Sequence, residues 1–138
     1  MSDYIFDASR RDFTINALYL DKNGEIYDYF QGKKDLENRV VKFIGDANLR
    51  IKEDFLRILR FFRFSCNYAA ILDEKGLNAC IENKSNLKSL SKDRIRSEVF
   101  KMFATAKDED LIRFFEYLEN YKIAAEIFSN NLEIANFK

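Results

Sequence analysis

The chain has 138 residues, of which 47% are hydrophobic and 15% aromatic, so it can bury one core but not two full-sized domains. Its 23 Lys and Arg residues balance 23 Asp and Glu residues, so any affinity for nucleic acid must come from local clusters of charge. Histidine is absent, which excludes Ser/His and Cys/His catalysis and imidazole zinc sites, while Cys66 and Cys80 lack the spacing of a metal or redox motif.

Extended structure is predicted first along the chain. Alternating apolar side chains over residues 13–30 predict a β-hairpin, with its turn at the sequence KNG of residues 22–24. Residues 40–44 predict another short strand, which Gly45 ends. Two strands form a marginal sheet with an unprotected edge, which predicts further sequence before Met1.

Helices are predicted from about Ala47 onward. Proline is absent, and apolar residues at helical spacing from Ile51 to Phe62 predict the longest helix. The expected fold is therefore α+β and mainly α, with strands before helices. Further helices are predicted over residues 73–82, over residues 92–104 after an N-cap at Ser91, and over residues 108–118, where acidic residues favour a helix N-terminus.

A charged triplet, Arg10, Arg11 and Asp12, stands directly before the predicted strand that contains Asn16. Guanidinium groups can hold phosphate oxygens in paired hydrogen bonds, and a carboxylate can accept from ribose hydroxyls. On composition alone we favour the alternative, an exposed flank whose ion pairs contribute little to stability.

A second cluster repeats every three residues at Asp54, Arg57, Arg60 and Arg63, which places one carboxylate and three guanidinium groups along one edge of the predicted helix. A solvated, salt-bridged face is the ordinary explanation. Phenylalanines interrupt the polar side, however, and half-buried charges need partners or ligands.

Asp54 and Arg57 match the edges of two bases, because a carboxylate only accepts hydrogen bonds and a guanidinium only donates them. Cytosine and adenine place an amino donor beside a ring-nitrogen acceptor. Uracil and guanine present the reverse order, leaving polar groups unpaired at roughly 1 to 3 kcal/mol each. Such a pair can select C and A without a nucleic-acid template.

Four motifs follow one another along the chain: RRDFTINALYLD at 10–21, DYFQGKKDL at 28–36, EDFLR at 53–57, and RIRSE at 94–98 followed by Lys101. Their order and spacing together resemble those of class II tRNA nucleotidyltransferases (CCA-adding enzymes) and bacterial poly(A) polymerases. The resemblance implies that residues 1–45 are the C-terminal part of a nucleotidyltransferase palm, or head, and that residues 46–138 are a helical neck.

The same resemblance implies the roles of individual residues. The arginine-rich element contacts the phosphates and sugar of the incoming nucleotide, and the EDxxR helix reads its base. The segment from Asp28 to Leu36 is a flexible element that adjusts the pocket, and the RIRSE motif braces the helices. The implied nucleotide-binding residues are Arg10, Arg11, Asp12, Asn16, Asp54, Arg57, Arg60 and Arg63, and the implied flexible or structural residues are Asp28, Gly32, Asp35, Glu53, Arg94 and Glu98.

The family's glycine loop and the Asp-x-Asp motif that binds Mg²⁺ are not found in this sequence. We therefore predict no catalytic or metal-binding residue here, and an isolated chain that is inactive without a separate N-terminal catalytic part. The expected partners are CTP or ATP and the 3′ end of tRNA or another RNA, in the cytoplasm and without membrane attachment. The alternatives are a poly(A) polymerase fragment and an inactive remnant that forms a homodimer through an exposed palm edge.

Overall fold

A computed structural model describes residues 2–128 of the chain. Over that range the chain forms eight α-helices and one two-stranded antiparallel sheet, which confirms the predicted α+β, mainly α class. The predicted helical part extends to residue 138, and residues 129–138 lie outside the described range. No helix between residues 2 and 128 is long and apolar enough to cross a bilayer.

The N-terminal part begins with helix α1 (Ser2–Ser9), followed by a 3-10 turn (Thr14–Asn16) and by the hairpin strands β1 (Leu18–Leu20) and β2 (Ile26–Asp28). The strands are antiparallel, with the middle residue of each strand opposite that of the other. The predicted turn is confirmed, and Gly24 adopts a φ of 84°, which glycine reaches without steric cost.

The hairpin is shorter than the predicted 13–30, and the strand predicted at 40–44 is reduced to one bridge. Phe13 pairs with Phe43 in an isolated antiparallel bridge. There the Thr14 N–H donates to the Lys42 carbonyl at 3.0 Å, and the Ile44 N–H donates to the Asp12 carbonyl at 2.9 Å. Tertiary pairing thus takes the first residues of the predicted strand away from the hairpin.

Helix α2 (Gly32–Glu37) packs against the 3-10 turn. Asp28, the last residue of β2, stabilises the first turn of α2, because its carboxylate accepts from the Gly32 and Lys33 N–H groups at 2.8 and 3.1 Å. The buried Asp35 carboxylate accepts from the Thr14 hydroxyl at 2.6 Å. A Cβ on Gly32 would lie 2.1 Å from the Thr14 carbonyl oxygen, so only glycine fits this approach.

The predicted single helix from Ile51 to Phe62 is wrong, because the chain breaks it at Asp54. Asp54 is extended, with φ −159° and ψ 107°, and its carboxylate accepts from the Leu56 N–H at 3.1 Å. Aspartate readily makes such local turns, which compete with helix formation. Two helices result, and the longest helix of residues 2–128 is instead the 14-residue α6.

The other predicted helices are confirmed to within two residues at each end, and the Ser91 hydroxyl caps α6 by accepting from the Arg94 N–H at 3.2 Å. The helical part consists of α3 (Ala47–Glu53), α4 (Arg57–Tyr68), α5 (Glu74–Asn83), a 3-10 helix (Lys84–Ser89), α6 (Lys92–Thr105), α7 (Asp108–Asn120) and α8 (Ala124–Ile127).

One hydrophobic cluster joins the N-terminal part to the helices. Phe13 and Phe43 are buried beside Phe61 of α4, and the Phe43 and Phe61 rings stack with centroids 5.6 Å apart. The cluster continues through Phe62 to the C-terminal helices. The division between head and neck at 45/46 stays a prediction, because the core runs across it.

Candidate functional site

A cleft of about 760 Å³ lies between the turn that follows α1, the first half of α4 and one face of α6. Six cationic side chains and four carboxylates line it, so it has two positive charges in excess although the whole chain is neutral. It contains seven of the eight residues that the sequence singles out for nucleotide binding: Arg10, Arg11, Asp12, Asn16, Asp54, Arg57 and Arg60.

Helix α1, for which the sequence carried no prediction, positions the two arginines of the triplet. The Arg11 guanidinium lies 3.2 Å from the Asp7 carboxylate and packs over the Tyr19 ring. Hydrogen bonds from the Tyr19 hydroxyl and from Arg11 hold the pKa of Asp7 below its usual value. Arg10 lies over the Phe6 ring. The four-residue spacing of Asp7 and Arg11 was the available sequence signal.

Asp12 is buried and connects two neighbours across the cleft. One carboxylate oxygen accepts from the Phe13 N–H at 2.8 Å and from the Asn16 amide at 3.0 Å. The other accepts from Arg60 Nε at 2.6 Å. Asp12 therefore orients Asn16 and Arg60 whether or not it also contacts a ligand.

Glu98 of α6 is 1% exposed and extends this pairing. It accepts from Arg63 Nε at 2.6 Å and lies 3.9 Å from Arg60 Nη1. Asp12, Arg60, Glu98 and Arg63 thus alternate in charge, and we call this set the charge ladder. Arg63 is buried, with its guanidinium 4.4 Å from the centroid of the Phe64 ring, and is the one predicted nucleotide-binding residue that does not line the cleft.

Asp54 faces the cleft from the break between α3 and α4, and its partner is Arg94 of α6. Arg94 Nη1 and Nη2 donate to its two oxygens at 3.2 and 2.8 Å. Partial burial raises the pKa of Asp54, but the hydrogen bonds from Arg94 and from the Leu56 N–H outweigh that effect, so the net shift is downward. The family resemblance implies only a bracing role for Arg94.

Arg57 also lines the cleft, but its hydrogen-bond partners lie on α3 and on the turn after α1. Its Nη1 donates to Glu53 Oε1 at 2.6 Å and to the Arg50 carbonyl at 2.8 Å, and its Nη2 donates to the Arg10 carbonyl at 3.3 Å. It therefore ties the end of α3 to the turn that carries the arginine triplet. The side chains of Asp54 and Arg57 both line the cleft, but no hydrogen bond joins them.

The 28–36 segment does not line the cleft. Through α2 it supports the 3-10 turn that carries Asn16, and its predicted flexibility stays a prediction.

Three of the four carboxylates that line the cleft do not fit a Mg²⁺ site, because guanidinium groups hold Asp12, Asp54 and Glu98. Between residues 2 and 128, no group of three or more His, Cys, Asp or Glu residues is placed to hold a metal ion.

Two family models match the sequence. Residues 2–42 match the poly A polymerase head domain, and residues 71–134 match the probable RNA and SrmB-binding site of polymerase A. The mitochondrial CCA tRNA nucleotidyltransferase 1 of Danio rerio is 49% identical over 107 residues, which cover 73% of this chain and 24% of the relative.

Solved structures are similar as well. The CCA-adding enzyme of Bacillus stearothermophilus in complex with CTP is 34% identical with a TM-score of 0.68, over 72% of this chain and 25% of that one. The Thermotoga maritima CCA-adding enzyme in complex with tRNA has a TM-score of 0.79 over 92% of this chain and 31% of that one, and at 23% identity it bears on the fold alone. The chain thus spans about a quarter of the length of the curated relative that it matches.

Proposed function

This chain belongs to the family of tRNA nucleotidyltransferases and poly(A) polymerases, and on that premise we propose that its cleft binds the CTP and ATP used for adding CCA to tRNA 3′ ends. The carrying observation is the cleft itself, in which Asp54 and Arg57 face the same space as Arg10, Arg11 and Arg60. Similarity to an enzyme solved with CTP supports the choice of ligand.

The phosphates are assigned to the exposed guanidinium groups of Arg10 and Arg11 together with Arg60, because paired N–H donors match phosphate oxygens. Asp12 and Asn16 are assigned to the sugar. Arg63 acts indirectly, because its buried guanidinium holds Glu98 beside Arg60.

The base is assigned to Asp54 and Arg57. Asp54 accepts from the exocyclic amino group of cytosine or adenine, and Arg57 donates to the adjacent ring nitrogen. Uracil and guanine would set acceptor against acceptor and donor against donor at these two side chains.

Nucleotide titration of the chain tests this assignment. We expect CTP and ATP to bind more tightly than UTP and GTP, and Asp54→Asn to weaken CTP binding by about 10- to 100-fold. Asp93→Asn is the matched control, because it removes one carboxylate that lines the same cleft and is not assigned to the base. Equal affinity for all four nucleotides, or equal losses in both variants, would contradict the assignment.

Phosphoryl transfer is assigned to a separate part that carries the Mg²⁺ motif, so the chain alone is expected to be inactive. Mixing the chain with that part, in the presence of Mg²⁺, should restore CMP and AMP incorporation into tRNA lacking its CCA end. Incorporation by the chain alone would overturn the assignment, and a mixture that stays inactive while the chain binds CTP would argue against CCA addition.

Poly(A) addition is the second candidate, favoured by the two polymerase family models. Extension of a generic RNA with ATP alone, without CTP incorporation, would identify it.

Self-association is the third candidate, because Phe6, Leu20 and Ile26 of the α1 and hairpin surface are 64%, 70% and 57% exposed. Light scattering that shows a dimer, together with no thermal shift on adding nucleotide, would favour this candidate over nucleotide binding. The cytoplasmic location stays a prediction that fractionation of the source cells can test.

A further inference from the structure

Arg94 occupies a helix position that does not favour a cation. It is the third residue of α6 after the Ser91 N-cap, where the helix dipole is positive and acidic side chains are preferred. Its guanidinium instead makes two hydrogen bonds to Asp54, forty residues away in the sequence. The ion pair with Asp54, rather than any stabilisation of α6, explains why an arginine stands at this position.

Arg94 donates to both oxygens of the carboxylate that is assigned to the base. One oxygen of Asp54 accepts from the Leu56 N–H and from Arg94 Nη1, and the other accepts from Arg94 Nη2. An exocyclic amino group is also an N–H donor, so it competes directly with the guanidinium for the same carboxylate.

We propose that Arg94 is a latch on Asp54: it binds the carboxylate when the cleft holds no nucleotide. Only a base with an exocyclic amino group in the matching position displaces it. This inference rests on the proposed role of Asp54 as a base reader. The latch makes Arg94 a determinant of nucleotide affinity and specificity, beyond the bracing role implied by its motif.

The latch has a distinctive consequence for selectivity. CTP and ATP use Asp54 only when the latch is open, so their apparent affinity is the intrinsic affinity multiplied by the fraction of molecules in which Asp54 is free. UTP and GTP do not use the carboxylate, so the latch does not affect them. Removing Arg94 should therefore strengthen binding of CTP and ATP only.

The expected size of the effect follows from exposure. The side chains of Arg94 and Asp54 are 49% and 34% exposed, so solvent screens the pair. Pairs of this kind shift an equilibrium by up to about fivefold, which sets the expected gain in affinity. Asp54 keeps the Leu56 N–H and access to water, so the variant chain should still fold.

The experiment compares Arg94→Met with Lys101→Met in the 138-residue chain. Both changes remove one positive charge from the α6 face of the cleft and keep a long apolar stem, but only Arg94 contacts Asp54. Calorimetric titration with CTP, ATP and UTP measures the three affinities of each variant. For Arg94→Met we expect CTP and ATP to bind up to about fivefold more tightly with UTP unchanged, whereas any effect of Lys101→Met should be shared by all three nucleotides.

The possible outcomes separate the latch from the proposed function. If wild-type chain binds CTP better than UTP but Arg94→Met changes neither, the latch is wrong and base reading stands. If Arg94→Met weakens all three nucleotides alike, Arg94 is a phosphate contact and the latch is wrong. If the wild-type chain does not distinguish CTP from UTP, both ideas fail.

An NMR titration of the Asp54 carboxyl group gives a second measurement that needs no nucleotide. The pKa of Asp54 should rise in Arg94→Met, and an unchanged pKa would mean that the pair does not form in solution and that there is no latch.

Discussion

Replacing Glu98 by glutamine tests the buried charge ladder. Glu98 is 1% exposed, and its main partner Arg63 has a side chain that is 9% exposed, so neither charge is solvated if the other is removed. Breaking a buried pair on one side costs about 3–5 kcal/mol. Glutamine keeps an oxygen that can still accept from Arg63 Nε, so we expect the lower end, about 3 kcal/mol.

For a chain of this size, that loss corresponds to a fall in Tm of about 10 °C. Urea denaturation followed by circular dichroism measures the loss in the free energy of unfolding. Nucleotide titration of the folded variant should show weaker CTP binding, because Arg60 loses one of its two carboxylate neighbours. The control is Glu116→Gln on the exposed face of α7, which should change stability by less than about 0.5 kcal/mol. If Glu98→Gln were as stable as this control, the ladder would not hold α4 and α6 together as described.

Three further predictions concern other parts of the molecule. Gly32→Ala should destabilise the fold by about 2 kcal/mol or more in urea denaturation, because its Cβ would lie 2.1 Å from the Thr14 carbonyl oxygen, and normal stability would refute that contact. Burial raises the pKa of the Cys66 thiol to about 12 and that of Cys80 well above its usual value, so Ellman's reagent should label neither thiol at pH 8 in the native chain and both in urea. The folded pKa of Asp54 lies below its ordinary value of 3.8, so its contribution to stability is present above that pH and is lost as the pH falls through the folded pKa, a dependence that an acid titration of Asp54→Asn should lack.

The local sequence predicts a residue's structure well where the physical cause is also local. The Ser91 cap of α6 and the glycine turn at Gly24 follow from groups within four residues, and both were predicted. The strand predicted at residues 13–17 was wrong because apolar alternation is also typical of a segment that a distant partner buries. Here that partner is Phe43. The break at Asp54 was not predicted because the apolar spacing continues through it, whereas the backbone is interrupted by a turn at this aspartate.

The sequence by itself determined the chemistry of this protein: the absence of histidine, the acid and guanidinium side chains, the order of the motifs and hence the family. Only the tertiary structure decided how those side chains are paired. It places Asp54 with Arg94 rather than Arg57, and it buries Arg63 behind Glu98. The physical reason is that an ion pair depends on distance in space, and residues 35 to 40 positions apart are brought together only by the packing of α4 and α6.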